Sequence, residues 1–198
     1  MLESLMFRSK TRRKAGKIYG AVVTQSRSPE FYAGLGVPDT PVGRYEMLVL
    51  HLILVLERLR EQGVADSRLD RLLVEMFIAD IDDSLRELAT GDLSVPKKVR
   101  RAATGLYDRL MDYRDATTTD ADAAALAASF ARHVYDVEGN ADAVAEINAH
   151  AAVLARYARA GQQALAKVDV AAGEVIFPPV AEFIGEAGAH TSGAGATD

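Results

Sequence analysis

Residues 40–63 read TPVGRYEMLVLHLILVLERLREQG, and this stretch decides the fold. Thr40 suits a helix N-cap, Pro41 suits the first helical position, and Gly63 supplies a stop. Between them, Met47–Leu50 and Leu52–Leu56 are apolar, with His51 the single interruption. Consecutive apolar positions cover the whole circumference of a helix. Such a helix must be buried on most sides, which makes it the expected centre of a bundle. The run is about half the roughly 20 residues needed to cross a bilayer, so no transmembrane helix is expected.

Working outward, helical signals dominate and strand signals are nearly absent. On the N-terminal side, RSPEFYAGLGVPDTPVGR (27–44) reads as a short helical turn and then a glycine- and proline-punctuated loop. Ser28 is the expected N-cap of that turn and Pro29 its first residue. A basic helix is expected from about Phe7 to Ser26, burying Ile18, Tyr19, Val22 and Val23.

On the C-terminal side, Asp66 or Ser67 is expected to cap a helix reaching Thr90. It buries a stripe of Leu69, Leu72, Leu73, Met76, Phe77, Ile81, Leu85 and Leu88. Gly91–Pro96 reads as a tight connection, and a helix over about 96–116 follows, expected to bury Val99, Leu106, Tyr107, Leu110 and Tyr113. A polar break at 117–120 precedes alanine-rich helices at about 120–136 and 140–167, the second capped by Asn140. Gly173–Pro179, GEVIFPP, reads as an extended segment lying across the bundle. The expected fold is all-α, a single-domain helical bundle of about six helices with an extended C-terminal segment. Residues 1–17 are a basic extension merging into the first helix, 18–180 the domain, and 181–198 a small, polar tail expected to be disordered.

The 198 residues suffice to bury a sizeable core, and 49% of them are hydrophobic. Cysteine is absent, which removes disulfides, thiolate metal sites and a cysteine nucleophile together. Net charge is −5 but unevenly spread: residues 1–30 hold seven basic groups against two acidic, and residues 115–198 twelve acidic against four basic. The basic start suits anionic lipid headgroups or ribosomal RNA, or is a solvated helix face. It lacks the apolar run of a secretory signal, so a cytoplasmic place is expected, with the inner face of the membrane as a peripheral option.

Reactive constellations are sparse. Glu146 and His150 sit one helical turn apart, but a metalloprotease helix carries two histidines and a glutamate. Asp80, Asp82, Asp83 and Glu87 form an acidic cluster, for which Arg44, Arg86 and Arg109 are the expected partners in an inter-helix network. No cleft or companion group marks that cluster for acid–base work. Phosphate-cradling loops and nucleic-acid modules are absent, so no specific DNA partner is expected. No cofactor and no enzymatic activity are expected. His51, inside the most apolar helix, reads as a neutral core histidine, with partner or haem contact as the alternatives. Lys97, Lys98, Arg100 and Arg101 oppose the dipole of their helix at a few tenths of a kcal/mol each. They are either an accident of the surface or kept for an acidic or phosphate-bearing partner.

Several blocks in order resemble the ubiquinol–cytochrome c chaperone family. They are Phe31-Tyr32, Gly36–Thr40, Gly43-Arg44-Tyr45, Leu50-His51, Met76-Phe77, Asp80, Asp82, Leu85–Glu87, Gly91–Lys98, Tyr107–Leu110 with Tyr113, Gly173–Val175 and Phe177-Pro178. The resemblance covers roughly residues 18–180. Tyr45 and Leu106 depart from an expected phenylalanine, and Pro41-Val42 is more apolar than the usual polar pair. The resemblance implies an all-helical chaperone for assembly of complex III. Its mitochondrial relatives work with a small partner near the ribosomal tunnel exit and hold newly made cytochrome b until it receives haem. A client groove is then expected from Phe31, Tyr32, Val37 and the exposed side of the central helix. Arg44 and the Lys97, Lys98, Arg100 and Arg101 cluster are expected around it or docking nearby. Tyr45, His51, Asp80, Asp83 and Arg86 complete the candidate partner-binding residues. The alternative is a membrane-surface adaptor whose basic first helix binds anionic lipid, without a client-folding role.

Overall fold

A computed structural model describes residues 2–65, 67–88, 94–119, 123–135 and 141–187, with side chains at 9–65, 67–87, 94–116, 123–135 and 143–184. The helices are α1 (Leu2–Ser26), α2 (Pro29–Ala33), α3 (Pro41–Glu61), α4 (Arg68–Leu88), α5 (Val95–Thr119), α6 (Ala124–His133), α7 (Ala141–Ala166) and α8 (Ala181–Ala187). A 3-10 turn spans Val170–Ala172. The described residues contain no strand. Six of the helices have ten residues or more, and α2 and α8 are short, which is the all-α bundle that the sequence indicates.

The apolar run places α3 at the centre. Every residue from Met47 to Leu56 is buried, and α3 touches α1, α4, α5, α7 and the 3-10 turn. Its start is fixed by Thr40, whose Oγ1 accepts from the Gly43 N–H at 3.2 Å. Gly43 is required on space alone, because a Cβ there would stand 2.0 Å from the Pro38 carbonyl oxygen. Ser67 starts α4 in the same manner, its Oγ accepting from Asp70 N–H at 3.2 Å. Ser28 differs from expectation: its side chain makes no cap bond, and its carbonyl alone holds the Phe31 N–H.

α1 lies against α3 and α4 and buries Ala15, Ile18 and Val22 completely. The helix runs unbroken across residue 17, and Lys14 Nζ donates to the Ala171 carbonyl. The basic start is therefore continuous with the domain. α4 packs between α1 and α5, and α6 between α5 and α7.

The extended segment lies across the bundle as expected, with Gln25 Nε2 donating to the Pro178 carbonyl at 3.2 Å. Residues 181–187, expected in the disordered tail, are helical. α8 follows the segment, with Phe183 edge-on to Tyr157 at 5.6 Å and Ile184 packed on the core. Two apolar side chains on a seven-residue helix suffice to hold it there. Thr117–Thr119 belong to α5 and not to a break. The expected connection at Gly91–Leu93, the remainder of the break from Asp120, the Asn140 cap and the tail from 188 onward lie outside the described residues.

Candidate functional site

Where α1 ends, α2 and the start of α3 turn away from the second half of α4, and a groove of about 720 Å³ opens between them. Its apolar lining comes from Val23 on α1, Tyr32 on α2, Tyr45 and Leu48 on α3, and Ile81 on α4. Its charged lining is mixed: Arg27 and Arg44 against Asp39, Asp80 and Glu87. The polar tips of its tyrosines are tied to the scaffold. Tyr32 donates to the Ser26 carbonyl at 2.9 Å and Tyr45 to the Ala102 carbonyl at 2.8 Å. Burial raises both phenol pKa values, so both stay neutral donors. Beside the groove, Tyr19 donates to Asp80 Oδ2 at 3.0 Å. The groove thus presents fixed aromatic faces with charges of both signs around them, a surface suited to holding an apolar chain segment.

Four of the candidate residues meet here: Tyr32, Arg44, Tyr45 and Asp80. Phe31 and Val37 do not line the groove, because both are buried in the core. On a five-residue helix with a loop behind it, Phe31 is the side chain that anchors the turn, and Tyr32 faces outward. Of the α3 face expected to be exposed, Pro41, Val42 and Arg44 are open and Tyr45 and Leu48 line the groove, while residues 49–56 are buried. Asp83 and Arg86 are exposed on α4 outside the groove lining. Lys97, Lys98, Arg100 and Arg101 are exposed on the opening turns of α5 and do not line the groove either.

The three arginines expected at the acidic cluster do not gather there: two of them pair locally and the third pairs with a carboxylate of α3. Arg44 Nε meets Asp39 Oδ1 at 2.7 Å in the loop just before its helix, which lowers the Asp39 pKa. Arg86 meets Asp82 at 2.7 Å one turn earlier on α4. Arg109 turns to Glu46, donating through Nη2 at 2.7 Å and Nε at 3.2 Å. Burial raises the Glu46 pKa, against the opposing pull of the Arg109 guanidinium. That fork was missed in the sequence, since Glu46, in the second turn of α3 before the apolar run, on its own reads as a surface acid.

Beneath the groove, His51 has no exposed surface, as its place inside the apolar helix leads one to expect. Its Nδ1 donates to the Met47 carbonyl at 2.7 Å, which leaves Nε2 to accept from Tyr157 Oη at 2.7 Å. Tyr157 Oη in turn accepts from Gln25 Nε2 at 3.0 Å. Desolvation lowers the His51 pKa to about 4, so the ring is neutral. Phe31 and Phe177 stand edge-on to it at 5.3 and 5.0 Å. One hydrogen-bonded line therefore joins α1, α7 and α3, and Gln25 extends it to the strap at Pro178. No group of three metal-ligating side chains occurs among the described residues, and His150 lies stacked on Tyr135 at 6.2 Å.

Fold and groove together define an all-helical protein built around an open cleft with apolar and aromatic walls. The family described as Ubiquinol-cytochrome C chaperone matches residues 33–174, and the chain belongs to that family. It is also similar to the Cbp3 homolog from Brucella abortus, known from a crystal structure. That similarity has a TM-score of 0.74 and 33% sequence identity, and covers 92% of this chain and 99% of that one. Comparison with curated proteins gave no match. No helix among the described residues is long and apolar enough to cross a membrane.

Proposed function

We propose that this protein is a non-enzymatic assembly chaperone of ubiquinol–cytochrome c reductase that holds newly made cytochrome b, with the α1–α4 groove as the client site. The observation that carries the reading is the groove itself: anchored tyrosines and aliphatic side chains lining an open cleft at the surface of the bundle. Apolar segments of a membrane protein need such a surface before insertion, and mixed charge around it lets a client's flanking polar residues find partners. Family membership supports the choice of complex III as the assembly served.

A photo-crosslinking residue in place of Tyr32, which is half-buried in the groove wall, tests this in cells. Crosslinks to cytochrome b, together with selective loss of complex III when the protein is deleted, are expected. Normal complex III in the deletion strain, with no crosslink, would overturn the proposal.

A second reading, attachment to an anionic membrane surface, has one observation in its favour. Lys10, Arg12, Arg13 and Lys17 are all exposed on α1, and residues 9–26 contain no acidic side chain. Flotation with phosphatidylglycerol vesicles that is lost on changing these four residues to glutamine would support it.

A further inference from the structure

The outward face of α5 is basic over its first turns and both acidic and apolar over the turns that follow, and Tyr107, expected among the buried residues of this helix, stands on it. At 3.6 residues per turn, Lys97, Arg100 and Arg101 share that face with Thr104, Tyr107, Asp108 and Met111, and Asp112 lies at its edge. Tyr107 and Met111 are 55% and 52% exposed, two of the four large hydrophobic side chains left so open among the described residues. They stand one turn apart. Lys97, Arg100, Arg101 and Asp108 are exposed and form no ion pair with any described residue. Asp112 is held at 2.7 Å by His133 yet keeps 44% of its side-chain surface.

A face that is basic at one end and acidic at the other, with apolar side chains beside the acids, is complementary to itself when a copy is laid against it in the opposite direction. We propose that two copies of this chain associate through this face, their α5 helices antiparallel about a twofold axis near the level of Leu106. Arg101 then lies about 7.5 Å to one side of the axis, and the turn carrying Asp108 and Asp112 about 3–9 Å to the other. Each Arg101 therefore faces that acidic turn of the second copy, twice by symmetry. The Tyr107 side chains of the two copies meet near the axis, and Met111, about 7.5 Å out, lies beside the stem of the facing Arg101. Such an interface is isologous and self-limiting, so it stops at a dimer. A lipid or nucleic-acid surface fits less well, since Asp108 and Asp112 would face phosphates. No α5 residue lines the groove, so the inference stands apart from the client reading. A single helix pair is at the small end of specific interfaces, which places dissociation on the order of micromolar.

Sedimentation velocity across a concentration series tests the proposal with two single substitutions, Arg101→Glu and Asp108→Arg. The first sets a carboxylate against the acidic turn of the second copy and the second sets a guanidinium against Arg101, so each alone should weaken self-association at least about tenfold. An equimolar mixture of the two should recover association relative to either variant alone, because the carboxylate introduced at 101 then faces the guanidinium introduced at 108, and Arg101 faces Asp108. Circular dichroism melts matching the wild type would show that both variants fold. A wild type still monomeric at about 100 µM, or a mixture that fails to recover association, overturns the proposal. So does an asymmetric result, in which Arg101→Glu abolishes binding to phosphatidylglycerol vesicles, Asp108→Arg strengthens it, and neither alters self-association.

Discussion

Removing one oxygen atom, by Tyr157→Phe, isolates the buried line that runs from Gln25 to Met47. The ring stays, so the edge contacts with Phe31 at 5.0 Å and Phe183 at 5.6 Å persist and no cavity forms. What is lost is the donor to His51 Nε2, inside a site with no exposed surface. Leaving a buried acceptor without a partner costs about 1–3 kcal/mol. Gln25 keeps the Pro178 carbonyl and adds little to that. We expect a loss of about 2 kcal/mol in urea unfolding followed by circular dichroism, with an unchanged m-value. For a chain of this length, the same loss is a fall of about 4–8 °C in Tm. The double variant His51→Leu/Tyr157→Phe removes both partners and should be less destabilised than Tyr157→Phe alone. A single-variant cost below about 0.5 kcal/mol, or a double-variant cost equal to the sum of the two singles, would refute the reasoning.

Three further outcomes follow from the same geometry. The His51 pKa is depressed from 6.5 to about 4, so the unfolded chain takes up a proton in that window while the folded chain does not. Stability contributed by the neutral ring is therefore complete above pH 6.5 and falls by roughly 3 kcal/mol on descending to pH 4. The stability difference between wild type and His51→Leu, measured by urea titration at several pH values, should show that slope. Arg109→Met strands the buried Glu46 carboxylate and should cost about 3 kcal/mol at neutral pH. That cost should shrink in acid, since a Glu46 whose pKa is already raised takes up a proton readily; thermal melts at neutral and acid pH read both. Gly43→Ala drives a Cβ into the Pro38 carbonyl and should lower Tm by several degrees, while Gly63→Ala, with open space around it, is penalised for its positive φ alone.

The centre of the fold was legible in the sequence because nine apolar residues around one histidine allow no exposed face. The capping roles of Thr40 and Ser67 were legible too, since each acts within three residues of its own position. The groove was not. It forms where helix ends diverge, and periodicity says which residues are apolar without saying where two elements part. Phe31 was misjudged because a five-residue helix has too few turns to declare a face. The Arg44 partner was misjudged because a loop acid five residues away outcompetes a richer cluster on another helix. The Tyr157–His51 bond joins residues 106 apart, and nothing local to either announces it. α8 did carry a signal, in the Phe183-Ile184 pair, that a small and polar surrounding sequence concealed.

The strap has a consequence for the order of events during synthesis. Phe177 and Phe183 complete the aromatic surroundings of His51 and Tyr157, and Gln25 reaches Pro178 across 153 residues of chain. A ribosome adds about 5–20 residues each second, so seconds pass between the emergence of α1 and that of its last partner. Through that interval α3 is made but not yet sealed, and the nascent chain carries the same exposed apolar surface that a membrane-protein client would bring to it.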